Sequence, residues 1–214
     1  MSLRLGGTVV LVVAVVGGGF HAAPGNAASA QHVFAERGCA GCHGADGRQS
    51  ADATPVLAGQ NAGYLLRQMQ DVAGGRRVAG PGADGQPRTK AMKDVMAGMG
   101  DEELRAMADW LATVPPPTAA RGDAADAGEG ADLFEEFGCM GCHGVDGLKP
   151  LSGYPILAGQ NRQYLALQTK EIRDTVRTNG RSRVMVEFVH KVSDTQADRI
   201  AAYLSQISRS ATNP

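Results

Sequence analysis

Two short motifs of the form Cys-X-X-Cys-His stand out among the residues that could carry chemistry. They use all four cysteines of the chain: Cys39, Cys42 and His43 in the first copy, and Cys139, Cys142 and His143 in the second. In this motif the two thiols add across the two vinyl groups of one haem, and the adjacent histidine becomes the proximal ligand of the iron. The sequence therefore predicts two covalently attached c-type haems.

A redox disulfide and a zinc site are the other chemistries that a Cys-X-X-Cys pair supports. Zinc ribbons usually place their second pair about 15–20 residues after the first, whereas the two motifs here lie 100 residues apart. A thioredoxin-like dithiol needs no histidine after its second cysteine, and the sequence shows no βαβ pattern around either motif. The duplicated five-residue match favours haem attachment.

An electron-transfer haem needs a second axial ligand, and methionines ahead of the last helix of each half can supply it. In the second half the only methionine outside the motif is Met185, eight residues before Ser193, where a capping box predicts the start of the final helix. Aligning the halves places Met92 eight residues before Gly100, the equivalent of Ser193. Met92 and Met185 are the predicted ligands, in basic segments that we expect to be loops.

Other assignments of the ligands remain open at this point. Met96 and Met99 are the alternatives to Met92, and any of these methionines can be core filler. His190 would give a bis-histidine haem, whereas His32 is expected on the surface of the first helix.

The loop after each motif holds a proline, Pro55 or Pro155, twelve residues after the haem histidine. A carbonyl at that position can accept the imidazole N–H and set its tautomer, or the proline can simply stiffen the loop. Tyr64 and Tyr164 follow and either pack near the haems or fill a helix face.

The second half of the chain repeats the first at an offset of 100, most clearly where residues 155–161 match 55–61. In each half a short first helix is expected before the motif (32–38 and 131–138), a middle helix after Asn61 or Asn161, and an amphipathic final helix. No segment alternates as a strand does. The prediction is an all-α fold with domain one at 31–114, a proline-rich linker at 115–130 and domain two at 131–214.

The N-terminal residues 1–30 have the pattern of a secretory signal peptide. Arg4 is followed by an unbroken apolar run at 9–16, and residues 28–30 form an A-x-A cleavage site that would leave Gln31 first. An uncleaved anchor is the alternative, but the apolar stretch is shorter than the ~20 residues of a spanning helix. Haem of this type is attached outside the cytoplasm, so we expect a periplasmic protein.

The composition argues against nucleic acid as a partner and indicates that the two cores need a further apolar group. With 21 basic and 22 acidic residues and no basic stripe, the chain is not expected to bind nucleic acid. Aromatic residues make up only 5% of the sequence, a thin supply for two cores. A buried porphyrin would supply much of the missing apolar area, so the chain without haem is expected to be poorly folded.

Taken together, the two motifs, the repeated P-x-L-A-G-Q-N segment and the duplication resemble the cytochrome c4 family of periplasmic dihaem proteins with two class I cytochrome c domains. The resemblance implies His43/Met92 and His143/Met185 ligation, with Pro55 and Pro155 beside the histidines. The long linker departs from the family pattern. Domain one also holds seven more residues than domain two between its motif and its methionine, placed at 74–87.

The family's role implies an electron carrier, not an enzyme. Its members pass electrons between membrane quinol-oxidising complexes and terminal oxidases or other acceptors, so redox proteins are the expected partners, with peripheral membrane association through them. The alternatives are a cytochrome subunit of a dehydrogenase or oxidase complex, and a dihaem redox enzyme with one displaceable ligand.

Overall fold

The computed structural model describes residues 25–49, 51, 53–120 and 124–209. Most of the predicted signal segment, residues 1–24, lies outside the described residues, as does the end of the chain from 210. The described part is helical and contains no strand, only an isolated bridge between Pro81 and Pro87. Within it, no helix has the length and apolar character needed to cross a membrane.

The α-helices of the described chain form two matching sets of five. In chain order they are α1 (Gly25–Glu36), α2 (Ala40–His43), α3 (Ala62–Ala73), α4 (Lys90–Val95), α5 (Asp101–Thr113), α6 (Ala124–Glu136), α7 (Met140–His143), α8 (Arg162–Arg173), α9 (Ser182–Val189) and α10 (Asp194–Gln206). Helices α1–α5 form domain one and α6–α10 form domain two. The predicted all-helical fold with two tandem domains is confirmed.

Side-chain caps explain where the middle and final helices begin. The side-chain oxygens of Asn61 and Asn161 accept hydrogen bonds at 3.0 and 2.8 Å from the backbone N–H groups three residues later, at the starts of α3 and α8. At the start of α10, Ser193 and Gln196 bond each other's backbone N–H reciprocally. These caps satisfy donors that the first turn of a helix leaves without partners.

The first and last helices of each domain pack against each other through an aromatic pair. Phe34 of α1 meets Trp110 of α5 edge-on, with ring centroids 5.3 Å apart. Phe134 of α6 and Tyr203 of α10 lie 6.0 Å apart in the second domain. Such pairs contribute about 0.5–1.5 kcal/mol beyond the area they bury. The haem motifs lie directly after α1 and α6, so this packing positions them.

The opening helix of each domain is longer than the sequence predicts. Helix α6 begins at Ala124, so the end of the predicted linker 115–130 is helical. Helix α1 begins at Gly25 and passes through the predicted cleavage point after Ala30, a residue that is buried in the first core. Alanine-rich stretches favour helix and carry no strong sequence signal of where it starts. The cleavage point itself stays a prediction.

The loops predicted around the two candidate methionines are wrong. Met92 lies in α4 and Met185 in α9, which have six and eight residues. Helices this short are not stable on propensity alone and form because they pack against the rest of the domain. The basic and turn-forming residues around the two methionines give no local sequence signal of that packing.

Two buried glutamines join the domains in a two-fold pattern. The side chain of Gln60 accepts a bond from the backbone N–H of Ile156 and donates to its carbonyl, both at 2.8 Å. Gln160 makes the same pair of bonds to Val56, at 3.0 and 2.7 Å. Each contact is repeated with the domains exchanged, as in a symmetric dimer interface. The two domains therefore meet directly in spite of the long linker.

Residues 74–89, which we call the strap, connect α3 to α4 and cross to domain two. The backbone N–H of Gly80 donates to the carboxylate of Glu171 at 2.6 Å, and the guanidinium of Arg88 pairs with the same carboxylate. The equivalent connection in domain two is residues 174–181, half the length. The extra residues of domain one are thus in the stretch where the sequence places them, and they contact the second domain.

Replacing Gln60 with alanine should weaken the contact between the domains. The backbone N–H and carbonyl of Ile156 would lose their partners, and an unsatisfied buried polar group costs about 1–3 kcal/mol. We expect the unfolding midpoint of the haem-loaded protein to fall by about 2–10 °C in calorimetry. Gln86→Ala, at an exposed glutamine of the strap, should leave the midpoint unchanged. Equal midpoints for both variants would contradict the assignment.

Candidate haem sites

Glycines place each haem motif at a sharp turn after the opening helix. Gly38 and Gly138 have φ values of 77° and 70°, a conformation that glycine adopts without strain. The chain reverses there, and the single turns α2 and α7 carry the second cysteine and the histidine. As a result, both cysteines and the histidine of each motif line one cavity inside the protein.

The two motif histidines are buried and held in one orientation. His43 and His143 are 7% and 6% exposed. Their Nδ1 atoms lie 3.0 and 3.1 Å from the carbonyl oxygens of Pro55 and Pro155. A carbonyl oxygen can only accept, so Nδ1 carries the proton and donates, and Nε2 keeps a free lone pair. This is the tautomer in which Nε2 can bind a metal.

Burial also sets the protonation state of these rings. It lowers the pKa of His43 and of His143, against the opposing effect of the proline carbonyl bonds. Both imidazoles are therefore neutral at pH 7. A neutral imidazole is the form that ligates iron.

The surroundings of the cysteines have the wrong electrostatics for a redox dithiol. Burial raises the pKa of Cys39, and it raises the pKa of Cys139 to about 11. Reactive dithiols have depressed pKa values, because the thiolate is the nucleophile. Nor do the described residues bring together three or more histidines, cysteines or carboxylates as a zinc site requires. The geometry thus argues against both alternative uses of the Cys-X-X-Cys pairs.

One cavity of about 920 Å³ runs through both domains. Its walls include apolar side chains of every core helix, among them Leu65 and Leu111 in domain one and Leu165 and Leu204 in domain two. Pockets for cofactors are apolar with a few polar groups that fix orientation. Thiols, a neutral imidazole and apolar walls in each half fit a haem that is attached through the cysteines.

The structure separates the candidate methionines. Met92 and Met185 both line the cavity and are partly buried. Met96 also borders it, but its side chain is 4% exposed and belongs to the core of domain one. Met99 lies instead at a surface depression beside Gln70. Met92 is therefore the methionine of domain one that is placed like Met185.

The two other histidines in the described part of the chain lie away from the cavity. His190 follows α9, is exposed, and its Nδ1 lies 2.9 Å from the carbonyl of Glu187. His32 is exposed on α1, where its Nε2 lies 3.0 Å from Glu36. Neither ring lines the cavity between the domains. The arrangement does not favour a bis-histidine site.

A pair of arginines at the domain interface escaped the sequence-based prediction. Arg77 donates to the hydroxyl of Tyr164 at 2.9 Å, and Arg177 donates to the hydroxyl of Tyr64 at 3.3 Å. All four side chains line the cavity. Burial would raise the pKa of Tyr64, but the charges of Arg177 and Arg77 outweigh it and lower that pKa.

These arginines give the cavity two cations that would be available to carboxylates of a bound haem. Guanidinium groups form strong paired hydrogen bonds with carboxylates, and a buried cation needs such partners. The internal repeat is the sequence pattern that indicates this pair, because Arg77 and Arg177 are 100 positions apart, like the haem motifs.

Comparison with known proteins matches both domains. Residues 27–115 match the family model for cytochrome c, and residues 125–204 match the model for cytochrome c oxidase, cbb3-type, subunit III. The chain is 34% identical to cytochrome c4 of Azotobacter vinelandii, over 92% of this chain and 95% of that protein. It is 32% identical to the thiosulfate dehydrogenase electron acceptor of Stutzerimonas stutzeri A1501, over 87% of this chain and 89% of that protein.

A solved structure has the same architecture. The crystal structure of reduced recombinant cytochrome c4 from Pseudomonas stutzeri superposes with a TM-score of 0.72 at 32% identity, over 85% of this chain and 98% of that one. Two cytochrome c domains, each with its own attachment motif, make the protein a dihaem c-type cytochrome with two covalently bound haem c groups. The chain belongs to the cytochrome c4 family, whose members are electron carriers. The predicted resemblance and cofactors are confirmed.

Without haem, the chain should not reach this structure. A dry cavity of 920 Å³ would cost on the order of 20 kcal/mol at about 24 cal/mol per Å³. Because two domains share this cavity, the cost per domain is comparable with the roughly 5–15 kcal/mol that stabilises a typical domain. We expect a variant with all four cysteines changed to alanine, made without haem attachment, to lack a cooperative thermal transition in circular dichroism. The haem-loaded protein is the control, and a cooperative transition in the haem-free chain would refute the expectation.

Proposed function

We propose that this chain is a periplasmic electron carrier with two His/Met-ligated haems that passes electrons between respiratory redox proteins. The observation that carries the proposal is the pairing of groups in the cavity: His43 and Met92 line its domain-one half, and His143 and Met185 its domain-two half. Imidazole and thioether are the axial pair of cytochromes c, and the thioether raises the reduction potential.

The residues of the chain would hold the haems and keep water out. When bound, each haem supplies reversible one-electron chemistry at its iron. The proline carbonyls fix the imidazole orientation, and apolar core side chains line both halves of the cavity. Two protein ligands on each iron in both oxidation states would leave little to rearrange when an electron arrives or leaves. Such a site suits a carrier better than an enzyme.

The periplasmic location rests on the sequence. The positively charged start, the apolar run at 9–16 and the small residues at 28–30 are the pattern of an exported protein. Covalent haem attachment outside the cytoplasm agrees with export.

Domain two exposes several large apolar side chains near its haem motif. The exposed fractions of these side chains lie between 42% and 67%. The residues are Val145, Leu151, Val184 and Phe188. Domain one has alanine at the positions equivalent to the first two, Ala45 and Ala51. Basic side chains, Lys149 and Arg183 among them, lie near these residues in the sequence and are exposed. This surface supports weak, transient docking of a redox protein with acidic residues around its contact site, through a small interface.

A quinol-oxidising complex and a terminal oxidase are the donor and acceptor that we propose, with membrane association only through them. A thiosulfate dehydrogenase is a second candidate donor, because one relative at 32% identity is named as the electron acceptor of that enzyme. Permanent membership of a dehydrogenase or oxidase complex would show itself as co-purification at high salt.

A redox titration with carbon monoxide added at the reduced end tests the proposal. We expect two low-spin haems, a methionine–iron charge-transfer band in the oxidised spectrum, and no spectral change with carbon monoxide, because both axial positions of each iron are taken. A high-spin haem, or one that binds carbon monoxide, would refute the ligand assignment and favour a redox enzyme with an open position.

Single methionine substitutions test each ligand separately. Met92→Ala and Met185→Ala should each remove about half of the charge-transfer band and open one haem to carbon monoxide, since each removes one of two thioether ligands. Met96→Leu, at the buried residue that directly follows α4, is the matched control. It conserves volume, should cost less than about 1.5 kcal/mol, and should keep the whole band. Loss of the band in the Met96 variant instead would move the ligand to that residue.

A further inference from the structure

The proximal sides of the two haem sites differ at one aromatic residue. In domain two the ring of Tyr154 meets the imidazole of His143 edge to face, with centroids 5.9 Å apart and planes at 84°. The equivalent residue of domain one is Thr54, whose hydroxyl donates to the carbonyl of Ala51 at 2.7 Å. Both sites keep the proline carbonyl bond to the histidine. The aromatic contact is therefore an addition specific to domain two.

Two arginines hold the segment that carries Tyr154. The guanidinium of Arg181 lies over the tyrosine ring, 4.7 Å from its centroid, and donates to the carbonyl of Ser152 at 3.0 Å. Arg67 of domain one donates to the carbonyl of Gly153 at 2.9 Å. The negative face of an aromatic ring attracts a cation placed over it. The ring is thus fixed from its face by Arg181 and through its backbone by the other domain.

We propose that Tyr154 is a positioning residue for His143 and that, together with Arg181, it raises the reduction potential of the haem in domain two. The inference rests on the proposed function, because it requires His143 to be an iron ligand. The reaction concerned is the gain of one electron from a donor protein and its loss to an acceptor, without transfer of a proton.

Two physical effects act in the same direction. The edge of the tyrosine restricts rotation of the imidazole about its bond to the metal and shields it from water, and a drier ligand environment disfavours the more positive, oxidised state. The guanidinium adds a positive charge near the site, which also disfavours the oxidised state. Because Arg181 is exposed, solvent and salt screen its part, and the tyrosine should account for most of the shift.

Potentiometry of the complete dihaem protein tests this, with the haem of domain two followed by the ring-current-shifted NMR signal of Met185 in the reduced form. Tyr154→Thr copies domain one and should lower the ratio of reduced to oxidised haem in domain two about 3- to 10-fold at fixed potential, or about 30–60 mV. Tyr154→Phe keeps the ring and should retain the wild-type potential. Arg181→Gln should give a smaller decrease, less than 3-fold, that shrinks at high salt.

The matched control is Thr54→Ala, at the equivalent position of domain one, which should leave the potential of the domain-two haem unchanged. Positioning predicts a further change in Tyr154→Thr that a loss of stability would not produce, namely an altered pattern of hyperfine-shifted haem methyl signals in the oxidised protein. An unmoved potential with an intact methionine–iron band would overturn this inference alone. Lack of that band in the wild-type protein would overturn the proposed function as well.

Discussion

The structure depends on a cavity that the packing of the helices alone does not fill. The amphipathic helices of each domain turn their apolar faces toward one another and still leave a cavity that runs through both domains. The aromatic content of 5% is too low to fill it. The covalent haems of the family are therefore structural as well as functional. The cysteine thiols attach the haem to the same turn that carries the motif histidine, so the group that fills the core is held next to that histidine.

The sequence predicts well those elements whose signals are local. Helices α3 and α10 combine an apolar stripe with a start signal, α5 has the apolar stripe alone, and the structure has all three. The motif turns follow from the spacing of cysteines and histidine. Helices α4 and α9 could not be predicted, because they are too short for a periodic pattern and depend on packing against the domain. For this reason the sequence predicts loops around Met92 and Met185, where the structure has short helices.

The contacts between the domains could not be predicted from local sequence patterns, for a different reason. Arginine is usually an exposed residue, so Arg177, only 7% exposed, reads as a surface residue in the sequence. Its partners, Tyr64 and Gln68, lie 113 and 109 positions away. Only the internal repeat gives information about these contacts. Polar residues that recur at the offset of the haem motifs do not belong to an apolar helix face, so core packing does not explain why they recur. The paired arginines and glutamines all have that property.

The symmetric and the asymmetric contacts have different roles in the structure. The matched bonds of Gln60 and Gln160 set the distance and orientation of the two haem sites, and a change in either domain alone would disturb the match. The strap and Tyr154 lie outside that pattern, each present in one domain only. Glu171 is buried and would be costly without partners, and the strap supplies Arg88 and a backbone N–H to it. The duplicated chain can thus alter the surroundings of one haem while the matched glutamine bonds stay the same in both domains.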